Sequence, residues 1–158
     1  MAYRETRNIE ASIIDYLKTE LASAWSGVSV EKSFSQVYDA TLPVVCVRLG
    51  PTSHNAVEIG TNSLVRSSQL LIDTFAENDG QKLDLTDFLV TKLKNSIDYY
   101  EYVIEHGTVK TKTKSGKIRI NRPIEVTFIN FNEDKDQLDA HDKFRSLITV
   151  EVTIGKVE

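Results

Sequence analysis

The stretch from Leu42 to Phe75 constrains the fold more than any other part of the chain. It reads LPVVCVRLG, then PTSHNAVEIGTN, then SLVRSSQLLIDTF. Residues 44–49 and 70–75 are short runs rich in Val, Leu and Ile, bounded by Gly, Pro and Asn, which is the composition of β-strands. Consecutive strands usually pair, so the stretch is expected to form a long antiparallel hairpin. Both runs are apolar on both alternating faces (Val44, Val45, Cys46, Val47; Leu70, Leu71, Ile72), the pattern of a strand covered on both sides. Residues 51–68 between them are mostly polar, with isolated Val57, Ile59 and Val65. The base of the hairpin belongs in a core. Its tip leaves the core and has to be explained by something outside the domain.

The rest of the chain supplies elements that cover this hairpin. Over residues 4–24, Ile9, Ile13, Leu17, Leu21 and Ala24 make one row of an amphipathic helix, and Gly27 is placed to stop it. Residues 28–34 alternate as a short, polar edge strand, and 39–43 form a turn. A loop with Asn78, Asp79 and Gly80 follows Phe75; Asp79 is suited to cap a second helix over residues 81–100, with Leu85, Phe88, Leu89, Leu93 and Ile97 as its stripe. Residues 99–106 fit a helix end or a short extended piece. Residues 107–117, GTVKTKTKSGK, read as an exposed basic loop. Strand character resumes at 117–121, is interrupted by Pro123, and returns at 124–131. An acidic loop spans 132–142. The closing strand, 144–154, places Phe144, Ile148, Val150, Val152 and Ile154 on one face and Arg145, Thr149, Glu151 and Thr153 on the other. The expected fold is α+β: a mostly antiparallel sheet of about five strands with a long protruding hairpin, and two helices packed on one face. The second sheet face is polar.

A chain of 158 residues is expected to be one domain, 1–158, large enough to bury its own core. A net charge of −4 counts against nucleic acid as the main partner. A single cysteine, Cys46, rules out an internal disulfide. The opening MAYRETRNIE has no apolar signal region, and no stretch approaches the roughly 20 apolar residues of a membrane span. The expectation is a protein made in the cytosol, with no membrane partner.

No catalytic set emerges. His54, His106 and His141 fall in three different loop regions without a second ligand at zinc spacing. Cys46 lies in a strand interior and reads as a core residue. Lys114-Ser115-Gly116-Lys117 lacks the earlier glycine of a phosphate loop, and the acids from Glu133 to Asp142 lack the Gly and Glu of a calcium loop. We therefore expect no cofactor, no metal, no small-molecule substrate and no enzymatic activity. The series Lys110, Lys112, Lys114, Lys117, Arg119, Arg122 is suited to touching phosphates but carries no interleaved aromatic for base stacking.

The order of elements resembles the tail-terminator family of long-tailed bacteriophages, also called tail-completion or minor tail proteins. The resemblance rests on the helix with Ile9, Ile13, Leu17 and Leu21, the strand with Phe34, the entry Leu42-Pro43-Val44-Val45-Cys46-Val47, the polar connection with Glu58 and Ile59, the second hairpin strand leading to a helix, and Phe144-Arg145 entering the last strand. The 107–122 segment has no counterpart. The resemblance implies a virion protein of the tail and neck, made in the host bacterial cytoplasm. It implies a homo-hexameric ring that caps the head-proximal end of the tail tube, stops its polymerisation and joins it to a neck or head-completion protein, with genome DNA passing through the lumen. Ring closure requires heterologous contacts. The hairpin tip, with Thr52, His54, Asn55, Val57, Glu58, Ile59 and Val65, is the expected subunit or tube interface. Lys110, Lys112, Lys114 and Lys117 are the expected lumen or anionic-partner contact, and the polar face with Glu125, Thr127, Thr149, Glu151 and Thr153 would line a channel. The alternatives are a neck or head-completion connector, a tail-tube-like subunit, and a nucleic-acid-binding module using the 110–122 segment.

Overall fold

The computed structural model describes residues 5–32, 34–56, 64–129 and 144–156. The elements in chain order are α1 (Glu5–Ala24), β1 (Ser29–Glu31), α2 (Phe34–Asp39), β2 (Val44–Ala56), β3 (Leu64–Phe75), α3 (Asp79–Lys92), β4 (Ile97–Glu105), β5 (Thr108–Ile129) and β6 (Arg145–Lys156). The strands make one six-stranded sheet in the order β1-β2-β3-β6-β5-β4. All neighbours are antiparallel except β1, which runs parallel to β2. The α+β reading holds.

The core lies between this sheet and two helices. Ile9, Ile13, Leu17 and Leu21 of α1, and Leu85 and Leu89 of α3, meet Val45, Val47, Leu70, Ile72, Ile148, Val150 and Val152 of the sheet. The α1 row follows from its i, i+4 spacing, and each such side chain stabilises the fold by about 1.5–3 kcal/mol relative to exposure. Ala24, at the end of that row, is exposed. Gly27 stops the helix at φ 75°, a backbone state that glycine adopts without strain.

Several sequence expectations are corrected. The second helix ends at Lys92, not near residue 100, and its N-cap is Asn78, whose Oδ1 accepts the Gln81 N–H; Asp79 is already inside the first turn. Leu93 and Ile97 are both buried in the same core, so helical spacing continues in the sequence after the backbone has become strand. Residues 99–105 are extended and belong to β4, and His106 begins the turn that follows. Residues 107–117 are not a loop: from Thr108 they belong to β5, paired with β4. The edge strand is limited to Ser29–Glu31, because Phe34–Asp39 is a short helix. This α2 lies on the opposite sheet face, where Val37 packs with Val44, Cys46 and Phe75. Cys46 is fully buried there. Burial, then the nearby Asp73 carboxylate, pushes its thiol up to about 11.

Candidate assembly surface

Strand direction places both hairpins at one end of the sheet. β2 and β4 run the same way, so their last residues, Ala56 and Glu105, lie at the same end. The β4–β5 turn is His106-Gly107, both at positive φ (50° and 78°), as a two-residue hairpin turn requires. The described part of β6 runs to Lys156, opposite Gly116, and among the described residues 108–115 of β5 pair with β4 alone and extend past that point as an arm. At about 3.3 Å per residue, the 22 residues of β5 would span roughly 70 Å, against roughly 40 Å for a compact domain of this length. The strand therefore has to bend and to project, and it does both.

The β2–β3 arm is shorter in its described part. Its ladder runs to Ala56 opposite Leu64, while β6 accompanies β3 only as far as Ser67. Thr52 and His54 face the helix side: Thr52 bonds Ser68, and His54 Nε2 accepts from Arg66, which also reaches Glu5 and Thr6 of α1. Asn55 faces the other side, and Val65 stands opposite it in the ladder. Val57, Glu58, Ile59 and His141, like the 132–142 acidic loop, lie outside the described residues. The expected interface residues are thus divided between two faces of one ribbon.

Two irregularities bend the sheet at one height. β2 carries one extra residue between Leu49 and Thr52, and β5 two between Asn121 and Glu125. Both fall beside the cross-strand pair Gln69–Glu151. Bulges bend a strand and deepen its twist. Between them, on the face away from α1 and α3, is a groove of about 590 Å³ with Pro51 and Pro123 among its lining residues. Gly50 lies in the first bulge, where an added Cβ would stand 3.0 Å from Gln69 Oε1 and would ask that side-chain amide to shift. Glu125, Thr149 and Glu151 of the expected polar face line this groove, and Ser67 bonds Glu151.

The lysines along β5, three on the arm and Lys117 just below it, are each paired with a carboxylate. Lys110 meets Glu105 at 3.4 Å, Lys112 meets Asp15 at 3.6 Å, and Lys114 and Lys117 meet Asp98 at 3.2 and 3.8 Å. Lys112 also lies 4.3 Å from the Tyr100 ring centre. Such exposed pairs add little stability, but they set four lysines against three carboxylates.

The two sheet edges differ. At β4, α1 covers the edge: Tyr100 N–H donates to Ser12 Oγ, Ser12 Oγ donates to the Tyr100 carbonyl, and Tyr102 N–H donates to Asn8 Oδ1. Asn8 and Ser12, buried polar residues on the core-facing side of α1, were not picked out by sequence reasoning. At the other edge β1 pairs only with Val44–Cys46, and the edge of β2 beyond is broken by the Gly50–Pro51 bulge.

Asp73 ties the open face together. It is 1% exposed and accepts from Arg48 Nε at 3.1 Å and Arg145 Nη2 at 3.2 Å, joining β2, β3 and β6. The Arg145 guanidinium sits 4.7 Å from the Phe75 ring centre.

Among the described residues no group of His, Cys, Asp and Glu is arranged to hold a metal, and no helix is long and apolar enough to cross a membrane. With the Cys46 thiol near 11, its thiolate fraction at pH 8 is on the order of one in a thousand. Iodoacetamide at pH 8 is therefore expected to label native Cys46 very slowly and to label it readily in urea, as read by intact mass. Equal rates in the two conditions would contradict the burial.

No family model and no curated protein matches the chain. Among solved structures, a chain from the virion of a native gene transfer agent (GTA) particle is similar over 98% of this chain and 99% of that one, with a TM-score of 0.49 and 11% identity. A likeness at that level transfers no function.

Proposed function

We propose that this chain is a structural protein of a tailed, phage-like virion, and within that class a tail terminator. The observation that supports the reading best is the pair of hairpins leaving one end of a single sheet, flanking the end of β6. A two-stranded ribbon is marginal in water unless it packs on something else. Two of them at one end suit a subunit whose arms are completed by neighbouring chains. In this reading six copies close a ring on the head-proximal end of the tail tube, meet a neck or head-completion protein on the other side, and surround the genome DNA. The protein is made in the host cytoplasm, acts in the virion and catalyses nothing.

The nucleic-acid-binding alternative loses support, because its lysines face Glu105, Asp15 and Asp98. A neck connector or a tube-like subunit shares the same arm chemistry, and the decisive experiment separates all three. Purified protein is added to polymerising tail-tube protein, and tube length and ends are read by electron microscopy. The expected result is shorter tubes, each with a six-fold ring at one end. Incorporation along the whole tube would make the chain a tube subunit. Unchanged tubes would sink the terminator role.

A further inference from the structure

We propose that the groove between the two bulges seats an extended protein segment carrying lysine or arginine. The reading of the chain as a virion protein enters only as the source of that segment, a neighbouring virion protein; the chemistry of the groove stands without it. Three observations carry the proposal. The groove is built: the bulges that frame it, near Pro51 and Pro123, lie far apart in sequence yet meet at one height of the sheet. Its polar lining is dense, with Ser53, Asn55, Gln69 and Thr149 able to hydrogen-bond a backbone or a polar side chain. Among the side chains the structure describes, its charge has one sign: Glu125 and Glu151 line it, and no described Lys or Arg does. A DNA phosphate or an acidic segment is repelled there. An ammonium or guanidinium gains charge-assisted hydrogen bonds.

The test is an amide NMR titration of the full chain with a short peptide alternating serine and lysine. The controls are a serine–glutamate peptide and spermidine. The expected result is a set of saturable shifts at Ser53, Asn55, Gln69, Thr149 and Glu151 with the lysine peptide. The double variant Glu125→Gln, Glu151→Gln is expected to weaken it at least about tenfold. Both side chains are exposed, and a glutamine amide oxygen can still accept from Ser67, so the variant keeps the fold; its unchanged spectrum outside the groove verifies this. Glu105→Gln, on the distant β4–β5 arm, is expected to leave the affinity unchanged. Equal binding of the glutamate peptide, identical shifts with spermidine, an unaffected double variant, or no shifts in the groove would each overturn the proposal. None of these outcomes depends on ring formation or tube capping, so the two readings fail separately.

Discussion

Asp73→Asn is expected to be among the most damaging single substitutions in this protein, costing about 2–4 kcal/mol of a total stability of roughly 5–15 kcal/mol. The side chain is buried to 1% exposure between two guanidiniums. The change keeps its shape and removes its charge, which leaves Arg48 and Arg145 facing each other across an uncharged amide. Breaking a buried ion pair costs about 3–5 kcal/mol because the remaining charge is not rehydrated. Here the Arg145 side chain is 16% exposed, whereas Arg48 is 37% exposed and regains water, which lowers the figure. Urea unfolding reads the effect as a lower midpoint with an unchanged slope. Arg48→Met is the internal comparison. It removes the more hydrated partner, leaves Arg145 on Asp73, and should cost less than half as much. A loss below about 0.5 kcal/mol for Asp73→Asn, in the range of an ordinary surface substitution, would show that the triad does not act as a buried unit. The substitution also bears on assembly, since Asp73 holds together β2, β3 and β6, the strands from which the β2–β3 arm and one wall of the groove arise.

How far this architecture was legible follows from where each signal lies. Residues 44–47 and 70–72 announced the core because both alternating faces are apolar, and such a run has no other stable place. The α1 row was legible for the same local reason. Residues 108–115 were not, because alternating Thr and Lys carry β-propensity without an apolar face. That segment is held by β4 and by charge pairs to Asp15 and Asp98, which are distant in sequence. One local clue was present: His106-Gly107 joins an aromatic-rich run to a Thr/Lys alternation, as a tight hairpin turn does. The end of α3 was misplaced because Leu93 and Ile97 keep helical spacing while serving one core from two kinds of backbone. The groove depends on two bulges at one height, and the Arg48–Asp73–Arg145 triad on the register of three strands. No single-sequence periodicity encodes either.

The edges of the sheet lead to the second large effect. An open six-stranded sheet has two edges that can pair with another copy, and natural proteins block such edges to avoid runaway growth. Here β4 is blocked by two small polar residues of α1. Asn8 and Ser12 are 4% and 2% exposed, and they take up the Tyr102 N–H and the Tyr100 N–H and carbonyl; Asn8 also donates to the Tyr99 hydroxyl. Replacing both with alanine leaves those backbone groups against methyls. At about 1–3 kcal/mol for each buried group deprived of its partner, and with some recovery by water at an edge, the double variant is expected to lose about 3–4 kcal/mol. Loss of stability alone does not separate an edge role from ordinary packing, so two further readouts are needed. Hydrogen exchange at Tyr100 and Tyr102 should accelerate more than exchange in the β3–β6 ladder. Light scattering at raised protein concentration should report larger assemblies than the parent chain forms under the same conditions. If both ladders exchange alike and the variant stays monodisperse, α1 is merely packed on β4 and does not seal it. If the edge does open, sheet growth through β4 is something the parent sequence works against, and any closed ring of these subunits has to be built from the arms and faces rather than by extending the sheet from β4.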